Sequence, residues 1–210
     1  MSTESVPEPG VSATDAPVNR LATLQDYFAL ERTSDTRHEY VDGEIWAMAG
    51  ETPAHNRIAG NIYVALETAF GTRPCVSFIE NIRTRVTSSR YRYPDIAALC
   101  GEAQFDQERP PSLLNPSVIF EVLSPSTEDN DRGEKFNEYR QLETLSDYLL
   151  IAQDKIEVAH YARQSARQWM VTIYGELEDK LVLSSLEVTL TLADVYRKIV
   201  FRAGGDAATE

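Results

Sequence analysis

Cysteine is scarce in this chain of 210 residues: Cys75 and Cys100 are the only two. Two cysteines cannot build a multi-bridge disulfide framework or a four-ligand zinc site. Both lie at the ends of apolar, strand-like runs, where buried reduced thiols are expected, and a cytoplasmic, reducing home fits them. Long apolar runs are also missing. No stretch approaches the roughly 20 residues needed to span a bilayer. The N-terminus lacks the basic-then-apolar order of a secretory signal, so no membrane partner is expected. Positive charge is in short supply, with 20 Lys and Arg against 33 Asp and Glu and a net charge of −13. Residues 1–20 carry Glu4, Glu8 and Asp15 against Arg20, and residues 203–210 carry Asp206 and Glu210, so each end contributes −2 and the body keeps −9. Any nucleic-acid binding must come from a local patch working against the remaining surface. What is present is the composition of an ordinary globular protein, 42% hydrophobic and 25% charged.

The order of patterns along the chain predicts one α/β domain with a central mixed sheet over residues 21–203, between disordered tails at 1–20 and 204–210. Thr23 and Asp26 form a capping-box pattern that opens a short helix to about Glu31. Asp42-Gly43 is a two-residue hairpin signal between strand-like arms. Pro53 opens a helix with an Ile58, Ile62, Ala65, Leu66, Ala69 stripe, and Gly71 closes it. Strands are expected at about 76–86 and 91–99, joined by Thr87-Ser88-Ser89, followed by a Pro-rich acidic loop over 101–117. A further strand carries Glu121, and a helix starting near Asp129 or Asp131 carries Lys135, Phe136 and Tyr139. The rest reads as mostly β: Tyr148 to Ala152, Val158 to Tyr161, Met170 to Tyr174 and Leu181 to Leu190. Thr191 caps a last helix to about Ile199.

Two acids stand out because their surroundings are apolar. Asp95 sits in Tyr93-Pro94-Asp95-Ile96-Ala97-Ala98-Leu99 and Glu121 in Val118-Ile119-Phe120-Glu121-Val122-Leu123. A charge buried without a partner is costly, so such acids are paired, hydrogen-bonded or metal-bound. Two of them, with Lys135 on the next helix, suggest a hard-cation site beside an ammonium group. Mg²⁺ suits it, with Mn²⁺ as substitute, because it takes oxygen ligands and is typically held by one or two carboxylates plus substrate phosphate. Asp95, Glu121 and the backbone carbonyl of Val122 would hold the metal, and Lys135 would supply a point charge to the phosphate. The bland alternatives are a Pro-Asp turn, a structural ion pair in a strand and a solvated helix lysine; the three residues together outweigh them.

Weaker candidates surround this set. Glu80 alternates in phase with Val76, Phe78 and Ile82. A turn at Thr87-Ser88 would pair it with Asp95, whereas a turn at Ser88-Ser89 would pair Ile82 with Asp95 instead. His55 shares the inward face of its helix, where a satisfied core histidine is the commoner outcome. Glu44 and Glu39 are either outer acids of the cluster or surface charges, and Tyr139 lies one turn beyond Lys135. Arg83, Arg85, Arg90 and Arg92 form the only dense basic stretch. They would either grip DNA phosphates beside the metal or sit on a solvated hairpin.

The runs EYVDGEIWAMAG, PAHNRIAGNIYVAL, YPDIAAL, FEVLSPST and DRGEKFNEY resemble the Uma-two family, a bacterial group classed with restriction endonucleases; the likeness covers about residues 21–200. The resemblance implies a restriction-endonuclease-like PD-(D/E)XK fold: a mixed sheet flanked by helices, here with extra C-terminal strands. It also implies Mg²⁺-dependent cleavage of DNA. Asp95 matches the Pro-Asp acid and Glu121 the second acid. The usual lysine two residues later is replaced by Leu123, and Lys135 is the matching position on the following helix. His55 and Glu44 also match family motif positions. A homodimer would help to cut two strands. The rivals are a nuclease-fold binding or regulatory module without turnover, and a metal-free two-carboxylate hydrolase of the glycoside-cleaving kind, which would need an aromatic-lined cleft.

Overall fold

The computed structural model describes residues 22–48, 50–124 and 128–201. The expected tails lie outside these residues, as do Pro125 to Thr127 of the loop after Glu121's strand. Helix α1 (Leu24–Thr33) begins at the expected capping box, with Asp26 N–H donating to the Thr23 hydroxyl (3.2 Å) and Thr23 N–H donating to the Asp26 carboxylate (3.0 Å). Strands β1 (His38–Val41) and β2 (Glu44–Ala47) form the hairpin across Asp42-Gly43. Both turn residues have positive φ, 48° and 99°, which is why a glycine stands second. Helix α2 (Pro53–Phe70) starts on a Thr52 cap and ends at Gly71.

The two long strands expected at 76–86 and 91–99 are each broken in two. They give β3 (Cys75–Ile79) and β4 (Thr84–Thr87), then β5 (Arg90–Arg92) and β6 (Ile96–Cys100). The first break has a local cause: Glu80 and Asn81 both take left-handed backbone, at φ 46° and 49°. The second falls at Tyr93-Pro94-Asp95, where proline offers no N–H to a ladder. The pairing at Asp95 therefore follows the first register although the turn falls at Ser88-Ser89, and Ile82 does not pair with Asp95. Near β3 the paired residues follow Ile79↔Ile96, and Glu80 N–H donates to the Asp95 carbonyl (2.8 Å), whereas at the turn Thr87 pairs with Arg90 after a shift between Arg85 and Thr87.

The halves enter different sheets. The outer halves complete a four-stranded sheet in the order β2-β1-β5-β4. The inner halves join β7 (Val118–Leu123), β8 (Asp147–Ala152), β9 (Val158–Ser165) and β10 (Gln168–Tyr174) in a six-stranded sheet, order β10-β9-β8-β7-β6-β3. Only β7 and β8 run parallel, so this central sheet is mixed, as expected. Between them the chain passes through α3 (Glu128–Asn130), one wide π-turn (Asp131–Lys135) and α4 (Phe136–Tyr139). The expected single strand Leu181 to Leu190 is instead a hairpin, β11 (Lys180–Leu183) and β12 (Val188–Thr191), because Ser184 to Glu187 turn with Glu187 at φ 52°. Helix α5 (Leu192–Val195) follows on a Thr191 cap and is shorter than expected.

Period-2 alternation sorts the faces of β7. Val118, Phe120 and Val122 join the core under α2, α5 and the β11–β12 hairpin. Ile119 and Leu123 join a second core with Tyr139, Leu145, Tyr148 and Leu150. Glu121 shares the second face and therefore looks toward the π-turn and α4. A third core packs Tyr27 and Phe28 of α1 on Tyr40 and Tyr91.

The cysteine expectation is corrected. Cys75 and Cys100 are directly opposed on β3 and β6 and joined in a disulfide. Strand register, which a separation of 25 residues conceals, brings them together. Among the described residues, no helix is long and apolar enough to cross a membrane.

Candidate active site

The junction between the two sheets forms one wall of a cavity of about 550 Å³. Asp95 stands one residue before β6, at the point where the chain crosses from one sheet to the other, rather than within a strand as expected. In the β6–β7 ladder Ile96 pairs with Phe120; one further step places Asp95 across from Glu121. The Asp95 carboxylate accepts from Val122 N–H (2.6 Å) and lies 3.1 Å from His55 Nε2. Glu121 Oε1 accepts from the Tyr139 hydroxyl (3.1 Å) and from Lys135 Nζ (3.3 Å). Lys135 Nζ also lies 2.9 Å from Asp131 and 3.9 Å from Glu39. The wide turn has a role in this: it presents Asp131 and Lys135 to the same buried face. Asp95, Glu121 and Lys135, from a sheet crossing, a strand and a helical turn, thus line one cavity together with His55 and Glu44.

A family model described as Uma2, "putative restriction endonuclease", matches residues 24–193. The chain belongs to the Uma2 family. Two uncharacterised proteins of Synechocystis sp. are relatives. Protein sll1609 is 34% identical over 159 residues, covering 75% of this chain and 90% of its own length. Protein slr1290 is 28% identical over 187 residues, covering 89% and 96%. Among solved structures, a "putative nuclease belonging to DUF820" from Anabaena variabilis superposes with a TM-score of 0.69 at 17% identity, over 85% of this chain and 99% of the other. That likeness shows the restriction-endonuclease-like fold.

The cavity of this Uma2 chain is strongly acidic. Seven acids line it (Glu39, Glu44, Glu51, Asp95, Glu121, Asp131 and Glu134) against Arg92, Lys135 and His55. Burial pushes the Glu121 carboxyl well above the usual range; Lys135 opposes this, while Asp95, Asp131 and Glu39 add to it. Burial alone would lower Lys135, but Glu121, Asp131 and Glu39 hold its ammonium well above the ordinary lysine value. Burial would likewise lower His55, yet hydrogen bonds to Asp95 and Glu51 push it up to about 10. His55 bridges two carboxylates, its Nδ1 contacting Glu51 and its Nε2 facing Asp95, and the ring must give up a proton to ligate a metal. One atom each of Glu51, His55 and Asp95 lies within 4.8 Å of the others, a group able to hold a metal ion. The donor set fits a hard divalent cation: buried carboxylate oxygens in excess over the cations that face them.

The expected accessory residues divide. Glu80 is not on the cavity wall; Asn56 Nδ2 approaches its carboxylate at 3.5 Å. Most of the arginine stretch is engaged by the protein itself. Arg83 is buried at 1% exposure, donates to Ser112 and Pro110, and lies over the rings of Tyr27, Phe28 and Tyr91. Arg92, also buried, lines the cavity but is held by Glu39 (2.6 Å) and Glu138 (2.7 Å). Half-buried Arg90 pairs with Glu138 and Asp42. Only Arg85 is exposed. Sequence density could not reveal this, because the partner acids of Arg92 lie 53 and 46 residues away. Glu51, Asp131 and Glu138 were not singled out from sequence. Glu51 lies four residues before His55 and Asp131 four before Lys135, the helical spacing that pairs opposite charges.

Proposed function

We propose that the chain is a metal-dependent endonuclease that hydrolyses DNA phosphodiester bonds. The observation that carries this reading is the convergence of Asp95, Glu121 and Lys135, from three separate elements, on one acidic cavity. Membership of a family described as putative restriction endonucleases supports it. Asp95, Glu121 and the backbone carbonyl of Val122 would hold Mg²⁺ or Mn²⁺, with Glu51 and His55 next to them. A metal bound there supplies a Lewis acid that activates water and offsets charge on the phosphate. The chain's own groups do the positioning. Val122 N–H and His55 fix one Asp95 oxygen, and Tyr139 and Lys135 fix Glu121. Asp131 holds the Lys135 ammonium at the cavity wall, where it offers a point charge to a phosphate oxygen. Arg92, pinned by Glu39 and Glu138, adds a fixed positive charge.

Purified protein incubated with supercoiled plasmid and Mg²⁺ or Mn²⁺ is expected to nick it, with loss of nicking on adding a chelator. Asp95→Asn and Glu121→Gln are each expected to abolish the activity. Nicking that persists at the parental rate in Glu121→Gln would show the assignment to be wrong. The net charge of −13 favours a second reading, a binding module that keeps the fold without turnover. Calorimetry separates the two, because the module reading expects no Mn²⁺ uptake that depends on Asp95 and Glu121.

A further inference from the structure

Among the described residues, arginines outside the 83–92 stretch form a cluster elsewhere on the surface. A second, open hollow of about 370 Å³ is lined by Glu31, Arg32, Ser34, Arg37, Arg109 and Pro110. Its three arginines come from separate places: the last turn of α1, the approach to β1, and the loop between β6 and β7. Arg32 and Arg109 are exposed and Arg37 is half-buried. In this they differ from Arg83, Arg90, Arg92 and Arg132, whose guanidinium groups are all engaged by oxygen acceptors. The one acid in the wall, Glu31, is 2% exposed and turned inward, accepting from His38 N–H (3.0 Å) and from the Tyr93 hydroxyl. Behind the Pro110 wall lies buried Arg83, which donates to the Pro110 carbonyl and keeps one nitrogen, Nη1, without a hydrogen-bond partner among the described residues.

The hollow and the Asp95–Glu121 cavity share a partition. Tyr93 lines the cavity, and its hydroxyl bonds Glu31, which lines the hollow. Tyr93 and Glu31, both buried, therefore join the wall of the cavity to the wall of the hollow. Arg32 also offsets the carbonyl end of α1, so part of its charge is used locally; Arg37 and Arg109 carry no such duty.

We propose that the hollow formed by Arg32, Arg37 and Arg109 is a docking subsite for backbone phosphates of the DNA strand that enters the Asp95–Glu121 cavity. This rests on the endonuclease reading. It gives an acidic protein a local basic patch for DNA binding, where Arg83 and Arg92 are buried and Arg90 is paired with acids.

Anisotropy of a short labelled DNA duplex, titrated in chelator between about 50 and 200 mM salt, tests binding without turnover. Each phosphate contact contributes roughly 0.9 to the slope of log K against log salt. The triple variant Arg32→Ala, Arg37→Ala, Arg109→Ala should lower that slope by about 2.7 and weaken binding about tenfold or more at low salt. A control removing the same charge elsewhere, Arg140→Ala, Arg167→Ala, Arg197→Ala, should change the slope by less than about 1. A triple variant that binds with the parental slope and affinity overturns the subsite and leaves the endonuclease reading standing. If the parent protein shows no salt-dependent binding to duplex, the endonuclease reading falls and takes the subsite with it. Equal losses in the triple variant and its control would reduce the effect to net charge and also overturn the subsite.

Discussion

Replacing Lys135 by methionine removes the cation around which the cavity's acids are arranged. Methionine fills a similar volume, so the change tests charge more than packing. In the parent, Lys135 Nζ lies 3.3 Å from Glu121, 2.9 Å from Asp131 and 3.9 Å from Glu39. Glu121 and Asp131 are almost inaccessible to water, at 2% and 1% exposure. Removing one partner from a buried ion pair costs about 3–5 kcal/mol, because the remaining charge stays behind without compensation. With a urea m-value of about 2 kcal/mol/M, the unfolding midpoint should fall by roughly 1.5–2.5 M. The measurement is equilibrium urea unfolding in chelator, so that no divalent ion replaces the lost charge.

The pH dependence follows from Glu121. Its folded-state pKa already stands well above the usual range through burial, and the variant removes the cation that opposes this. A carboxyl whose folded pKa exceeds its unfolded value of about 4.3 binds more protons in the folded state, so stability falls as pH rises between the two. The deficit of Lys135→Met should therefore be smallest at acidic pH, where protonation relieves Glu121, and grow as pH rises. Adding Glu121→Gln keeps the shape and an acceptor for Tyr139 while removing one charge. The double variant should recover about half of the loss at pH 8 and flatten the pH profile, with Asp131 accounting for the rest. A Lys135→Met protein as stable as the parent at pH 8, or a double variant worse than the single one, would refute the view that this lysine neutralises the buried acids.

Three further outcomes are expected. Saturating Mn²⁺ at about 100 times its dissociation constant should stabilise the parent by about 2.7 kcal/mol in thermal melts, and should not stabilise Asp95→Asn or Glu121→Gln; equal stabilisation of all three would place the ion elsewhere. Arg83→Ala should cost about 2–4 kcal/mol in urea unfolding, through lost ring contacts and a carbonyl and hydroxyl left without their donor, while exposed Arg85→Ala stays within about 0.5 kcal/mol. If the two variants prove equally mild, Arg83 is not the core residue described. Cys75→Ala with Cys100→Ala should lower stability by about 3 kcal/mol, because the bridge closes a chain separation of 25 residues; a reductant should lower the parent's midpoint by a similar amount and leave the variant's unchanged.

What could be read from the sequence was what short-range chemistry encodes. Thr23 with Asp26, Asp42-Gly43 and Pro53 with Gly71 carry their meaning within three or so residues of an element's end, and each ends or turns the chain where expected. The apolar surroundings of Asp95 and Glu121 likewise announced burial without coordinates. Long-range pairing was hidden. Nothing in Val76 to Val86 announces that Glu80 and Asn81 will adopt left-handed backbone, since the alternation of apolar residues runs on as if one strand continued. That break nevertheless decides the molecule. It hands the outer half of each strand to one sheet and the inner half to another, and the cavity opens where they part. It also reassigns the arginines. Four in a row look like a phosphate grip only while the hairpin is imagined as a free ribbon. Once its outer half is packed under α1 and beside α4, Arg83 must stack on Tyr27 and Phe28, and Arg92 must find Glu39 and Glu138. A buried guanidinium cannot be left unmatched, so the same fold that assembles the acids also engages Arg83, Arg90 and Arg92. Of the four, only Arg85 is left exposed.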